Sequence, residues 1–472
     1  MGIDFTHNAH PTMGSEMEIH LVDSVTGDLA PIAVDLLADA GAPHPHGEHP
    51  KAKHELFQST VEVITGVCRT PGEAADDLLA TIDELRPAVA QRGAKMASSG
   101  THPFAIADRQ LISPNPRYHQ LVDTMQWPAR RLLICGMHVH VGVPSGQHAV
   151  TIVNELTRHL PVFLGLSTSS PFFEGVDSGM SSARSLVFES LPTVGLPPQI
   201  AEWSDFEAFM ETMIDTACIE TVREVWWDIR PHPNFGTVEL RMCDAMSTVA
   251  ESVAVGALAQ ALVAWCIERI DEGTLPPPPT EWSTRQNRWL AARYGLDAEL
   301  IVEHTDDEPR SATGHAAATA HHIRDRTVER SGARELLDRL VDTVRPTARR
   351  LGSLDAVERV LDLADAGSST ARQRAITRAG GGLGGVAQLL CCRDAGQNRV
   401  FRDNAVEHGL RVVIPGEVAP QGRRRGVAGS FGLGCIALFR LGAHVLSAEE
   451  GCFFSVARLV PVDAVAERGE DG

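Results

Sequence analysis

Four short segments carry acidic or imidazole side chains, and in three of them a charged or imidazole partner lies two residues away, the spacing that puts neighbours on one face of a β-strand. Glu16 and Glu18 form the first pair, in Gly14-Ser-Glu-Met-Glu-Ile-His-Leu-Val-Asp23. Two carboxylates held about 7 Å apart repel until a hard divalent cation neutralises them, so the pair suits metal binding. An ordinary exposed strand face carries the same pattern. Glu55 and Glu62 follow in a second segment, where Glu62 lies between Val61 and Val63 and points away from a core or into a polar cleft. His138 and His140, in Gly-Met-His-Val-His-Val-Gly, have a metal-ligand spacing that structural histidines also share. Glu239 and Arg241 repeat the same-face pattern with opposite charges, which a strand salt bridge explains equally well. Together these strands would form a surface lined with oxygen ligands and a nitrogen. Mg²⁺ sites that bridge to substrate phosphates have that chemistry.

The cationic side chains narrow the options. Lys51, Lys53 and Lys95 are the only lysines, and none sits in the Gly-rich, Lys-Ser/Thr context of a P-loop, so a P-loop NTPase is excluded. Phosphate chemistry must therefore rest on metal ions and arginine, with Arg184, Arg230 and Arg241 as candidates to clamp phosphate or a substrate carboxylate. The chain has 472 residues and a formal net charge of −19. That balance argues against nucleic acid or an anionic membrane as the main partner, since phosphates need Lys/Arg stripes. With 43% hydrophobic and 22% charged residues the composition is that of a globular protein. The polar N-terminus and the lack of an uninterrupted run of about 18 apolar residues read as a soluble, cytoplasmic protein. Nine cysteines without a CxxC pair read as reduced thiols in or near the core, Cys68, Cys135, Cys218, Cys243 and Cys266 among them.

The elements that must position these residues are legible in outline. Alternation predicts strands over Glu16–Asp23, the end of Glu55–Ile64, Leu132–Val143, Trp226–Arg230 and Thr237–Cys243. Helical spacing covers Ala33–Ala40, Pro71–Gln91, Ala149–Leu160, Phe206–Cys218 and the apolar Ala250–Ile270, which Gly273 and four prolines close. Helical, charge-laced segments then continue to about Ala366. Strands mixed with helices, without strict βαβ alternation, indicate α+β. From Cys391 onward ten acidic and ten basic residues leave no net charge, and Arg423-Arg424-Arg425 reads as a solvated loop.

Several of these segments resemble a known family. In order along the chain, Gly14–Asp23, Gln58-Ser-Thr-Val-Glu-Val-Ile-Thr65, Gly100-Thr-His-Pro-Phe-Ala105, Cys135-Gly-Met-His-Val-His-Val-Gly-Val143, Leu160-Pro-Val-Phe-Leu-Gly-Leu-Ser167, Trp227-Asp-Ile-Arg-Pro231 and Gly236-Thr-Val-Glu-Leu-Arg241 look like the bacterial carboxylate–amine ligases called glutamate–cysteine ligase type 2 (YbdK-like). The likeness runs from about residue 9 to 390. It implies a glutamine-synthetase-like catalytic fold, a curved and largely antiparallel sheet with helices packed outside, that binds ATP and Mg²⁺. It further implies that ATP phosphorylates a substrate carboxylate and an amine then displaces phosphate, with glutamate and cysteine as the expected, weakly used pair. By this resemblance Glu16, Glu18, Glu55, Glu62, His138 and Glu239 form the metal set, and Arg241 and Arg230 face phosphates or the acyl phosphate. Arg184, in Ser181-Ser-Ala-Arg-Ser185, would hold a substrate carboxylate. Partners would be small molecules only, and a homo-oligomer stays open.

Two departures stand out. The family's opening motif has three consecutive glutamates, and here the middle one is Met17. On a strand Met17 points opposite to Glu16 and Glu18, so the metal face would survive. The second departure is the tail, which divides the chain into a catalytic domain over 1–390 and an extension over 391–472 outside the likeness. Two other functions remain at this point: a zinc hydrolase built on His138 and His140, and a degenerate ligase fold that only binds.

Overall fold

The strand β1 (Met13–Asp23) shows why the sheet has two unlike faces. Met17, Ile19 and Leu21 are buried in the main core, whereas Glu16 and Glu18 between them stay partly open. In this computed structural model residues 3–305, 321–323 and 326–391 are described, and all of them fall in one compact unit. The tail from 392 to 472, with its arginine triplet, lies outside the described residues, so the division at residue 390 stays an expectation.

Six further strands join β1: β2 (Ala52–His54), β3 (Thr60–Ile64), β4 (Ala94–Ala97), β5 (Gly136–Gly142), β6 (Ile229–His232) and β7 (Thr237–Asp244). Their order is β6-β7-β5-β1-β3-β2, with β4 paired to the second half of β1, and every ladder is antiparallel. This is the α+β arrangement with an antiparallel sheet that the sequence led us to expect. Against its apolar face pack the helices Pro71–Gln91, Gly146–Ser167 and Val249–Asp271. The first has the bounds read from the sequence: Thr70 caps it by accepting from the Glu73 N–H, and Ala74, Leu78, Ile82, Leu85 and Val89 are its buried stripe. Val249–Asp271 is long and apolar enough to cross a membrane, yet it is largely buried between β1, β5 and four helices. Its apolar character serves the core.

Three expectations change. The helix beginning near Ala149 runs from Gly146 through Pro161 to Ser167, because Val162, Phe163, Leu164 and Leu166 continue the buried stripe. The region expected to be helical up to Ala366 is interrupted by strands Glu299–Thr305, His321–Ile323 and Arg326–Gly332, which form a separate antiparallel sheet. Helices then extend past Ala366, through Ser369–Arg378 and Gly382–Cys391. Finally, Cys68, Cys135, Cys243 and Cys266 are buried as expected, but Cys218 is exposed beyond the end of the Trp203–Asp215 helix.

Leu258, at the centre of the Val249–Asp271 helix, is fully buried in the main core. Leu258→Ala is expected to lower stability by about 2–5 kcal/mol, read as a shift in the urea midpoint with little change in slope.

Candidate functional site

Register brings the same-face pairs together. On β1, Glu16 sits opposite His138 of β5 and Glu18 opposite Glu62 of β3. On the far side of β5, His140 pairs with Glu239 of β7, and Glu239 with Arg230 of β6. The sheet face turned away from the main core therefore carries acids and imidazoles across five adjacent strands. Met17 points the other way and is 2% exposed, so the missing third glutamate leaves this face intact.

Among the described residues, three groups of side chains on this face have ligand atoms within 4.8 Å of one another: Glu18, Glu55 and Glu62; Glu16, Glu62 and His138; and Glu16, His140 and Glu239. They share Glu62 and Glu16 as corners, so five carboxylates and two imidazoles form one continuous string. His138 Nδ1 lies 2.8 Å from Glu16 Oε2, and His140 Nε2 lies 3.4 Å from Glu16 Oε1. His140 Nδ1 is 3.0 Å from the Thr237 hydroxyl. Glu55 reaches the string from the loop between β2 and β3, where its carbonyl accepts from Ser113 Oγ at 2.5 Å.

Electrostatics divides the string into two halves. Burial pushes the Glu55 carboxyl up to about 8, helped by the charges of Glu18 and Glu16. Glu62 is likewise pushed well up by burial and by Glu16, Glu55 and Glu18. At the other end burial would raise Glu239, but the Arg230 and Arg241 guanidiniums outweigh it and hold the carboxyl well below the usual range. Glu16 is held low in the same way, with His138 and His140 outweighing burial. Burial and Arg241 lower His138, whereas Glu239 and Glu16 overcome burial to raise His140. A row of acids that cannot all ionise alone, with imidazole donors beside them, fits a hard divalent cation better than zinc, which prefers sulfur and nitrogen.

The arginines occupy three different situations. Arg230 is 5% exposed and has little donor capacity left: Nε and Nη2 donate to Glu239 at 2.7 and 3.2 Å, and Nη1 donates to the carbonyls of Val222 and Val225. Arg241 also donates to Glu239, but its Nε has no partner among the described residues. Arg241 lies in a β-bulge, because β7 inserts one extra residue between the pairs Leu240–Val139 and Cys243–Met137. Arg184, on the short Ala183–Phe188 helix, reaches the same sheet face at the edge of the string. Gly136 shares a strand face with His138 and His140, and a Cβ there would lie 2.2 Å from Arg184 Nη2. The guanidinium thus fills the space of a missing side chain. It is buried, and among the described residues it donates only to the carbonyls of Met242 (3.4 Å) and Arg241 (3.2 Å), leaving its Nε without a partner.

All nine residues singled out from the sequence thus lie on or beside one face. Two were missed as members of it. His140 was read only as half of a zinc pair, although its spacing from His138 already put it on the same face. Asp244 ends the motif that starts at Gly236, and only the bulge reveals that it faces the site, opposite Gly136. The cavity lined by Thr157, Ser283, Asn287 and Glu303 and the cleft around Arg293, Arg374 and Arg378 are formed by other residues.

The chain is similar to several known proteins. A family model described as glutamate–cysteine ligase family 2 matches residues 12–388. A Frankia alni protein provisionally named glutamate–cysteine ligase 2-1 is 46% identical over 381 residues, covering 80% of this chain and 93% of the relative. A Thermobifida fusca protein provisionally named glutamate–cysteine ligase 2 is 42% identical over 390 residues, covering 83% and 92%. Among solved structures, the Francisella tularensis glutamate–cysteine ligase in complex with AMP shares the fold. Its TM-score is 0.57 at 12% identity, over 82% of this chain and 88% of that one.

The raised Glu55 makes pH a direct probe. Between its ordinary value of 4.5 and about 8 the native chain holds a proton that the unfolded chain has released. Stability of the metal-free protein should therefore fall as pH rises through that window. Ligation needs the ionised form, so adding Mg²⁺ at pH 7 should release protons, measured by calorimetry in buffers of different ionisation enthalpy. Glu55→Gln should reduce that release and flatten the stability slope. Unchanged proton release in the variant would place Glu55 outside the ligand set.

Proposed function

This chain belongs to glutamate–cysteine ligase family 2, and from that membership we propose that it activates the side-chain carboxylate of glutamate with ATP and couples it to the amine of cysteine. The observation that carries the site assignment is the string of five carboxylates and two imidazoles on one sheet face, with guanidiniums at its edge. Glu16, Glu18, Glu55, Glu62, His138 and Glu239, with His140 added by the geometry, would hold Mg²⁺, which when bound supplies charge neutralisation on the phosphates.

The chain's own residues then have distinct tasks. A free carboxylate is a poor electrophile, so its oxygen first attacks the γ-phosphorus of ATP and ADP leaves; the amine next attacks the acyl carbon and phosphate leaves. Each step develops or moves negative charge, and positioning together with fixed positive charge is what a protein contributes. Arg241, whose Nε has no partner among the described residues, would meet a phosphoryl oxygen. Arg230 spends its donors on Glu239 and two carbonyls, so its task is to hold Glu239 and Arg241 in register and not to touch phosphate. Arg184, a buried cation whose guanidinium hydrogen bonds go only to carbonyls among the described residues, would take a substrate carboxylate. The six cysteines among the described residues are free thiols, which fits a reducing, cytoplasmic setting. A zinc hydrolase on His138 and His140 is disfavoured, because Glu16 contacts both imidazoles within an oxygen-rich string.

The assay is ADP release that depends on Mg²⁺, on glutamate and on cysteine together. Hydrolysis without nucleotide, accompanied by stoichiometric zinc, would favour the hydrolase instead. Glu239→Gln is a poor test of metal binding, because it strips two buried guanidiniums of their counter-charge and should cost about 3–5 kcal/mol of stability. Glu62→Gln is cleaner. It removes a carboxylate raised by its neighbours, so metal-free melting should stay level or rise while kcat falls about 10²–10³-fold. Retained turnover in Glu62→Gln would remove Glu62 from the metal set.

A further inference from the structure

Asp244 is fully buried, faces the ligand side of the sheet, and makes no ion pair among the described residues. Its carboxylate is satisfied instead by a cage of serines. Oδ2 accepts from the Ser169 N–H at 2.9 Å and from Ser170 Oγ at 2.7 Å, and Oδ1 accepts from Ser182 Oγ at 2.7 Å. Each hydroxyl is tied onward to the helix that carries Arg184. Ser170 Oγ accepts from the Arg184 N–H at 3.1 Å, and Ser182 Oγ caps Ala183–Phe188 by accepting from the Ser185 N–H at 3.2 Å. The backbone adds a direct link, Ala183 N–H to the Ser170 carbonyl.

Two glycines leave room for this network. A Cβ on Gly100 would meet the Asp244 carboxyl carbon at 2.7 Å, just as one on Gly136 would meet Arg184. Gly100 is itself pinned there, its N–H donating to Ser169 Oγ at 2.7 Å. The carboxylate and the guanidinium thus sit side by side on the ligand face, each in the space of an absent side chain, and a short serine relay connects them. A buried acid costs less when hydrogen-bonded, and the cage supplies those bonds; Arg184 adds its nearby positive charge but no hydrogen bond, so its guanidinium is not tied up in an ion pair with Asp244.

We propose that Asp244 is a positioning residue for Arg184: its carboxylate fixes the Ser169–Ser170 segment and the first turn of the Ala183–Phe188 helix, and so sets the affinity of the site for the acid substrate. This rests on the reading that Arg184 takes a substrate carboxylate, and it adds the device that aims the guanidinium.

The test measures steady-state ADP release by the full chain, with KM for glutamate, KM for ATP and kcat determined separately. Ser170→Ala, Gly100→Ala and Asp244→Asn should each raise KM for glutamate about tenfold, with KM for ATP and kcat changed less than about threefold. In an Arg184→Gln background the same substitutions should add nothing to KM for glutamate, because their effect passes through the lost guanidinium. If Asp244→Asn does not fold, Ser170→Ala carries the comparison. An Arg184→Gln protein with unchanged KM for glutamate would remove Arg184 from the acid site and this proposal with it. A raised KM in Arg184→Gln, with no change in the other variants or an equal change on top of it, would leave Arg184 in place and overturn the role of Asp244. A uniform rise in both KM values with falling kcat would also overturn it, since general loosening of the fold predicts that pattern.

Discussion

Mutual repulsion among crowded carboxylates, four half-buried and one fully buried, is the constraint that the rest of the structure accommodates. Glu16, Glu18, Glu55, Glu62 and Glu239 crowd one side of a sheet whose other side is sealed by apolar helices, so they cannot be separated without breaking the core. The protein manages this asymmetrically. At the β7 end two guanidiniums and two imidazoles balance Glu239 and Glu16, and the acids there stay ionised. At the β3 end the charge of Arg241 does not outweigh burial and the neighbouring acids, and the Glu55 and Glu62 carboxyls are pushed up toward their neutral forms. The site is thus prepared for positive charge at one end and already neutralised at the other.

The heavy use of arginine follows from the same constraint. Burying a cation requires fixed, multiple hydrogen bonds, which a planar guanidinium can make to a carboxylate and to carbonyls at once. Arg230 does both, spanning Glu239 and the Val222 and Val225 carbonyls. Arg288 forms a second such clamp, on Asp228 at 2.5 and 3.3 Å, and the Asp228 carbonyl in turn accepts from the N–H of bulged Arg241. A lysine could offer neither geometry, which gives the near absence of lysine a structural sense.

Much of this was legible in the sequence, and what was not had definite physical reasons. The two-residue spacing of Glu16 with Glu18 and of His138 with His140 was enough to put each pair on one face, and to turn Met17 inward. Which strand lies beside which could not be read that way, because register depends on partners far apart in sequence, so the meeting of Glu18 with Glu62 came only from the fold. The segment Glu299-Leu-Ile-Val-Glu-His-Thr305 was taken into a charge-laced helical region, yet its β-branched residues pair with Arg326–Gly332. Arg230 was expected at the phosphates from its motif alone. Its hydrogen bonds, which are invisible to sequence, turn it to Glu239.

The bulge in β7 has a consequence for how this segment can vary. The single extra residue between Leu240 and Cys243 reverses the in–out alternation, so that Cys243 enters the core and Asp244 joins the ligand face. Chain length across those few positions is therefore as much a part of the site as residue identity. A one-residue deletion there would bury a carboxylate among aliphatic side chains and turn a thiol toward the carboxylate-lined face. Substitutions in this stretch can be absorbed one at a time; a change of length would rewrite both faces of the strand together.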